Sequence, residues 1–533
     1  MSNPTASTPV DAPPTAQAQV SATGWWTVAI VTIATFMLML DLTVVNVALP
    51  EMRASLHANF SGLQWVIDAY ALTLAAFLLT AGSLADRLGR RRVFAVGFLV
   101  FSLASLACGL AGGIVTLAAA RAVQGTGAAI LFAVGPTLIG QEFHGKARGA
   151  AFGVFGAGAG LAIAAGPLIG GALTSDLNWR WIFLVNVPIG LIATLLSRWR
   201  MRESVNSLTQ TLDWAGLFTF TAGLAAVVLA LLRGTDQGWT SAPILALLVT
   251  GVVLLTAFAV IEKLLGARAM LETSLFRIRS FTALSIVATL VSAGAMSAIF
   301  FLVSYTENIL GYSPWQAGLR FMPMTGALFV TAAIGGGLIA KVPQRILLGV
   351  SCAFIAVGLS LAAPLLHANS QWTAVLPSTV LLGVGMGLFN PVRAYLAIGV
   401  AEPAKAGSAS GMNETFQQVG MVLGIAAFGD FFENRVTDAF ASSTPGKQLG
   451  TAARPLGKQI ATGAVGQAQS PTASVIEAVR SSFVTGLHDV LPWCAAVAAL
   501  AAVISFAFIR RADLHPAAIG ALPGVPPEIA DPI

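Results

Sequence analysis

Gly82-Ser-Leu-Ala-Asp-Arg-Leu-Gly-Arg-Arg-Arg92 is a short basic turn set between two long apolar runs, 62–84 and 93–112. Each run has the roughly 20 predominantly apolar residues needed to cross a hydrocarbon core about 30 Å thick. The segment therefore reads as two membrane helices joined by a charged turn on one side of a bilayer. The pattern continues in both directions. Runs of spanning length fall at 25–50, 114–138, 149–173, 181–199, 213–233, 242–262, 281–304, 316–340, 346–366, 373–397, 408–429 and 489–510. With the first two they make fourteen. Composition agrees: 56% of the 533 residues are hydrophobic and 10% are charged, where soluble domains carry about 25% charged residues. Mean hydropathy of +0.80 excludes a soluble protein. Runs of this length satisfy their backbone as helices, so the expected class is all-α integral membrane.

The parts outside these runs are sparse. Residues 1–24 are mostly Ala, Pro, Thr and Ser with one charge, Asp11, and read as a disordered tail; 511–533 form a second tail. No basic segment precedes Trp25, so the first run is expected to be a retained helix and not a cleaved signal. Net charge is +6 and the pI about 9.5, but the basic residues lie in short clusters between apolar runs, so no nucleic-acid partner is implied. Cys108, Cys352 and Cys494 lie far apart within apolar runs, which argues against a disulfide framework or a metal site. The histidines show no ligand spacing, and no phosphate-binding G-x-x-x-x-G-K-[ST] loop occurs. No cofactor and no ATP are expected. No nucleophile–base pair suggests an enzyme.

Charge sorting gives an orientation. With the N-terminus inside, 18 of the 29 Lys and Arg fall in cytoplasmic loops. Only Arg53, Arg180 and Arg233 fall in short external loops; five more lie in the long stretch 430–488, which the rule discounts. Both termini are expected in the cytoplasm of a cell (inner) membrane. A weak repeat adds to this: Gly337-Leu-Ile-Ala-Lys-Val-Pro-Gln-Arg345 matches Gly82–Arg90 at glycine, alanine and the final arginine with equal spacing. Paired halves are a feature of transporters. The expected plan is a six-helix bundle at 25–199, an inserted helix pair at 213–262, and a second six-helix bundle at 281–510 with an external loop at 430–488.

Four segments together resemble the major facilitator superfamily, and within it the fourteen-span drug:proton antiporter branch. Gly82–Arg92 resembles the signature loop between helices two and three. Leu40-Asp-Leu-Thr-Val-Val-Asn-Val-Ala-Leu-Pro50 resembles the first-helix motif of that branch. Arg121-Ala-Val-Gln-Gly125 resembles the fourth-helix arginine motif, and Gly166-Pro-Leu-Ile-Gly-Gly171 with Gly153 resembles the antiporter motif of helix five. Ala162 stands where that last pattern usually has glycine, and a small residue preserves close packing. The resemblance covers about 25–510 and implies export of lipophilic or cationic small molecules, such as drugs, antiseptics or antibiotics, in exchange for protons.

The residues that would do this work can be named. Gly153, Gly166, Gly170 and Gly171 crowd one span, where small residues let helices approach and Pro167 bends the backbone. The plain reading is tight packing; the resemblance adds restraint of leak. Asp86 is suited to cap the N-terminus of a neighbouring helix, and the resemblance implies that this is the helix starting near Gly407 in the other half. Arg90 would then pair with Glu142. With Gly82, Arg87 and Gly89 these residues form a conformational latch on the cytoplasmic side.

An ionised side chain at a helix centre costs about 2.5–3.5 kcal/mol on insertion scales, so Asp41, Arg121 and Glu414 ask for a function. Asp41 lies about 24 Å up the first helix from Trp25. Burial disfavours its charge while a nearby guanidinium favours it, a balance suited to loading and releasing a proton. Asp68 is closer to a membrane interface, where solvation is an equal alternative. Asp41, Arg121, Asp68 and Glu414 are the expected proton-coupling residues; by resemblance, the three acids also meet cationic substrates. Trp65, Tyr70, Phe301, Tyr305 and Gln418 are further expected substrate contacts, although such aromatics more commonly fill cores. Arg393 and Arg320 read as snorkelling to the interface. An importer of a nutrient or metabolite with the same fold is the main alternative, opposed by the helix-five motif. The working unit is expected to be a monomer with protons, a small molecule and the lipid bilayer as its partners.

Overall fold

The computed structural model describes residues 22–58, 60–143, 145–203, 213–265, 273–339, 341–461 and 473–515. Most of the two terminal tails lies outside them, as do 204–212, 266–272 and 462–472. The described chain is helical throughout. The first half contains α1 (Ala22–Leu56), α2 (Phe60–Leu88), α3 (Arg90–Gly109), α4 (Ile114–Glu142), α5 (Gly145–Asp176), and a sixth column broken into α6 (Trp181–Leu184) and α7 (Asn186–Arg200). Then come α8 (Trp214–Gln237) and α9 (Ala242–Leu265). The second half contains α10 (Arg279–Ser304), α11 (Pro314–Leu338), α12 (Gln344–Leu365), α13 (Leu376–Gly399), α14 (Ala406–Ser442) and α17 (Ala473–Phe508), with the short α15 (Thr444–Leu449) and α16 (Ala453–Ala461) between the last two.

Local sequence sets many of these boundaries. Ser313 accepts the Gln316 N–H in a capping box with Pro314 in the first turn of α11, the arrangement that satisfies amides with no helical partner. Asp213 does the same for Gly216 at the start of α8. Between α2 and α3 the backbone turns at Gly89, whose φ of +101° suits a residue without Cβ.

Twelve helices among the described residues are long and apolar enough to cross a membrane. α14 falls outside that set, although it stands where run 408–429 was expected; α5 stands on run 149–173, several of whose side chains lie outside the described residues. The surroundings of α14 account for it, and α5 is enclosed in the same way. α5 is packed by α1, α11 and α13, and α14 by α2, α10 and α17. Glycines and amides such as Asn413 and Gln418 then meet protein instead of lipid. The inserted pair is the opposite case: the most apolar window of α9 is 17% buried, against 78% for α4. α8 and α9 pair with each other at the periphery, with α8 touching both α2 and α14.

The stretch 430–488 is not a simple loop. α14 continues through it to Ser442, α17 begins at Ala473, and α16 packs against α14. An aromatic chain, Phe301–Phe432–Phe483, with ring centres 4.8 and 5.0 Å apart, ties α10, α14 and α17 together at its base.

Candidate functional site

The first-half cluster is built by α1, α2, α3 and α4. Asp41 and Arg121 are both buried, and an Arg121 Nη1 lies 2.5 Å from Asp41 Oδ2. The same nitrogen donates to Gln124 Oε1 at 2.8 Å, while Gln124 Nε2 donates to Asp41 Oδ1 at 3.0 Å and to Ser105 Oγ at 2.8 Å. Arg121 Nε donates to the Val66 carbonyl at 3.1 Å, and its guanidinium lies 4.1 Å from the centre of the Tyr70 ring. Gln124 is one helical turn beyond Arg121, so the two share a face of α4. The arrangement holds one carboxylate by two partners, each of which is itself fixed. Tyr70, expected as a substrate contact, is instead the floor beneath Arg121.

Asp86 caps the other half as expected. Oδ1 accepts the Gly407 N–H at 3.1 Å; Oδ2 accepts the Ser408 N–H at 2.8 Å and its hydroxyl at 3.2 Å. Arg90 corrects the expectation. It does not turn to Glu142; its Nε and Nη2 donate to Asp86 Oδ1 at 2.8 and 2.6 Å, and Nη2 also donates to the Pro403 carbonyl at 2.7 Å. Four residues separate Asp86 from Arg90, so the pair is local, and Arg90 then reaches the carbonyl just before α14. Glu142 remains at the end of α4, and Arg87 in the last turn of α2. Gly82 and Gly407 face each other backbone to backbone. Glu203 was not anticipated: it accepts the Arg91 N–H at 3.1 Å and pairs with Arg91 and Arg92 at 3.4 Å, beside Gly89.

The glycines of α5 form a second seam. A Cβ on Gly153 would sit 3.1 Å from the Gly336 Cα of α11. Gly166 and Gly170 lie against Thr43 and Val44 of α1, and Gly171 against the Trp315 ring. α5 is thus clasped between its own half and the other. Of Pro167 only the helical backbone is described. One contact across the halves has no motif behind it. Arg148, 4% exposed, holds its guanidinium 5.0 Å from the Tyr395 ring of α13, which also meets Phe152 edge-on.

The remaining acids are not free. Asp68 pairs with Arg233 of α8 at 3.3 Å, and Arg233, read as a loop residue, is a buried helical one. Trp65 carries that same guanidinium 4.3 Å from its ring centre. Glu414 pairs with Arg393 at 2.7 Å, and Arg393 also donates to Asn413 Oδ1. Arg393 is 4% exposed, so it does not snorkel; a buried carboxylate holds it. Gln418 is buried one turn beyond Glu414. Phe301 is fully packed in the aromatic chain, and Tyr305 donates its hydroxyl to the His367 carbonyl at 2.9 Å.

Two packed helical halves, joined along glycine seams and holding buried acid–arginine pairs, define a polytopic membrane transporter. The chain belongs to the major facilitator superfamily, which it matches over residues 31–425, and its relatives place it with the drug-efflux members. The puromycin resistance protein of Streptomyces alboniger is 36% identical over 406 residues, covering 75% of this chain and 80% of the relative. The multidrug resistance protein Stp of Mycobacterium tuberculosis is 32% identical over 396 residues, or 74% and 73% of the two chains. The tetracenomycin C resistance and export protein of Streptomyces glaucescens is 28% identical over 498 residues, 92% of each. The crystal structure of the human organic anion transporter MFSD10 superposes with a TM-score of 0.60 at 11% identity, over 90% of this chain and 99% of that one, a likeness of fold.

Proposed function

We propose that this protein is a proton-coupled exporter of lipophilic small molecules, drugs and antibiotics among them, driven by the proton gradient and not by ATP. The observation that carries the reading is the buried Asp41–Arg121–Gln124 cluster. A carboxylate that is desolvated but held by a permanent cation changes its proton affinity if helices α1 and α4 shift relative to each other. One proton taken up from one side can then be given up on the other. The relatives named for drug resistance and export support the direction and the kind of cargo.

On this reading fourteen helices cross the membrane as a monomer, with both termini in the cytoplasm. The Asp86 cap closes the cytoplasmic end, and the α5 seam keeps the halves sealed while they rock. A cationic cargo would have to compete with an arginine at each of Asp41, Asp68 and Glu414. The test is flux in inverted vesicles under an imposed pH gradient. Substrate accumulation that collapses with the gradient is expected. Accumulation driven by ATP alone, or flux only in the direction of uptake, would overturn the reading.

A further inference from the structure

We propose that Arg233 of the inserted helix α8 is a built-in occupant of an organic-cation site formed by Asp68, Trp65 and Gln64, and that it makes the transporter select against cationic substrates. The inference rests on the exporter reading and narrows its substrate class to uncharged lipophiles.

The site has the three parts a flat organic cation requires. Asp68 supplies a carboxylate, the Trp65 ring a cation-attracting face, and Gln64 an amide oxygen. Arg233 uses all three at once: its Nη2 is 3.3 Å from Asp68 Oδ2, its Nη1 donates to Gln64 Oε1 at 3.1 Å, and its guanidinium carbon is 4.3 Å from the centre of the Trp65 ring. Residues 64, 65 and 68 lie within one helical turn of α2, so this grouping is fixed by the helix itself.

Its placement matters for transport. Eighteen residues separate Asp68 from Asp86, which is five whole turns at about 3.6 residues per turn. Asp68 therefore stands on the same stripe of α2 that carries the Asp86 contact with α14, at the other end of the seam between the halves. Trp65 is 37% exposed and borders an open apolar groove of about 380 Å³ between α2 and α4, lined also by Gly62, Ala69, Ile114 and Val115, the last 78% exposed. That volume is in the range of small-molecule pockets. It offers room for the apolar body of a ligand whose charge would have to sit where Arg233 is.

The fit of Arg233 is serviceable but incomplete. It is 7% exposed, yet its Nε has no hydrogen-bond partner among the described residues. It comes from the peripheral pair, which touches the first half mainly through α2. A second tie, Thr80 to Thr221 at 3.0 Å, keeps α8 in register three turns away along α2. The inserted pair thus acts as the carrier of a charge that neutralises an acid on the transport seam.

The experiment is a binding titration of purified full-length protein in detergent with ethidium, a flat permanent cation, read by fluorescence anisotropy. It needs no proton gradient, so loss of antiport in vesicles and loss of this binding result are separate failures. Arg233→Leu and Arg233→Gln are each expected to bind ethidium at least ~10-fold more tightly than the wild type, the size of effect an aromatic face and a buried carboxylate provide together. Arg233→Leu combined with Asp68→Asn should return to the wild-type value. Unchanged binding by either single variant, eluting as a single species, overturns the proposal. Should neither variant elute as one species, Asp68→Asn alone decides: binding equal to wild type is expected, and a loss shows that Asp68 already receives the cation and overturns it.

Discussion

Asp86 Oδ2 accepts the backbone N–H of Ser408 at 2.8 Å, which joins residues 322 positions apart and pins one half of the protein to the first turn of α14 in the other. The carboxylate meets three donors from that turn and a guanidinium from its own side. All its lone pairs face donors, which is the chemistry of an anion and not of an amide.

Asp86→Asn tests this directly. The substituted amide turns an NH2 toward donors that require an acceptor, and the charge opposite the helix N-terminus and Arg90 is lost. The helix-end attraction contributes about 0.3–1 kcal/mol and a charged hydrogen bond about 1.5–3 kcal/mol. Export should slow several-fold at unchanged protein level. A wild-type rate from Asp86→Asn would remove the latch from the mechanism.

Close approach along the second seam predicts a sharp difference between neighbours in α11. A methyl on Gly336 would collide with the Gly153 backbone, whereas one on Gly337 would meet nothing within 4 Å. Gly336→Ala should lower the thermal midpoint in detergent by an amount corresponding to about 1–3 kcal/mol, the usual cost of overpacking. Gly337→Ala should leave the midpoint unchanged or raise it slightly, since alanine is the better helix former. Equal midpoints for the two variants would mean that the seam yields.

Arg393 and Glu414 predict a rescue. Arg393→Leu strands a buried carboxylate, a change that costs about 3–5 kcal/mol where one partner of a buried pair is removed. The folded yield of Arg393→Leu should fall steeply. Adding Glu414→Leu removes the stranded charge and should restore most of that yield. A double variant no better than the single one would show that Glu414 is satisfied without Arg393.

Much of this was legible in the chain. Apolar runs place the helices because lipid demands length and apolarity together, and the capping role of Asp86 follows from an acid set before arginines in a turn. Where a run is wrapped by other helices, as α14 is, that demand relaxes and apolarity loses its power to mark a span. The arginine partners were the least legible. Arg233 and Arg393 sit a few residues from the ends of their helices, where sequence distance alone suggests an escape to water. Only the packing of α8 on α2, and of α13 on α14, turns them inward. The acids were identified as requiring an explanation, and the explanation lay on helices that no spacing rule connects. The packing of the aromatics was illegible for a related reason: side chains such as Phe301 and Tyr305 suit a pocket wall or a core equally, and their neighbours Phe432, Phe483 and His367 are remote in sequence.

The Asp41 cluster yields the prediction that separates a working site from a static brace. If Asp41 exchanges a proton during export, a lipophilic substrate added to purified protein should displace protons into a weakly buffered solution. Asp41→Asn should bind that substrate and release none. Asparagine keeps an oxygen for Arg121, so the helices retain a tie and the protein should accumulate normally. Gln124→Ala probes the same site through its positioning residue: Asp41 Oδ1 and Ser105 Oγ both lose their bond to the amide. Proton release should then persist, with its pH profile shifted, because the carboxylate remains but one of its two fixed partners is gone. A brace behaves differently. Both variants would then lose folded yield together, and whatever protein remained would release protons as the wild type does. Full proton release from Asp41→Asn at normal yield would place the exchanging acid elsewhere, with the buried Glu414 as the next group to substitute.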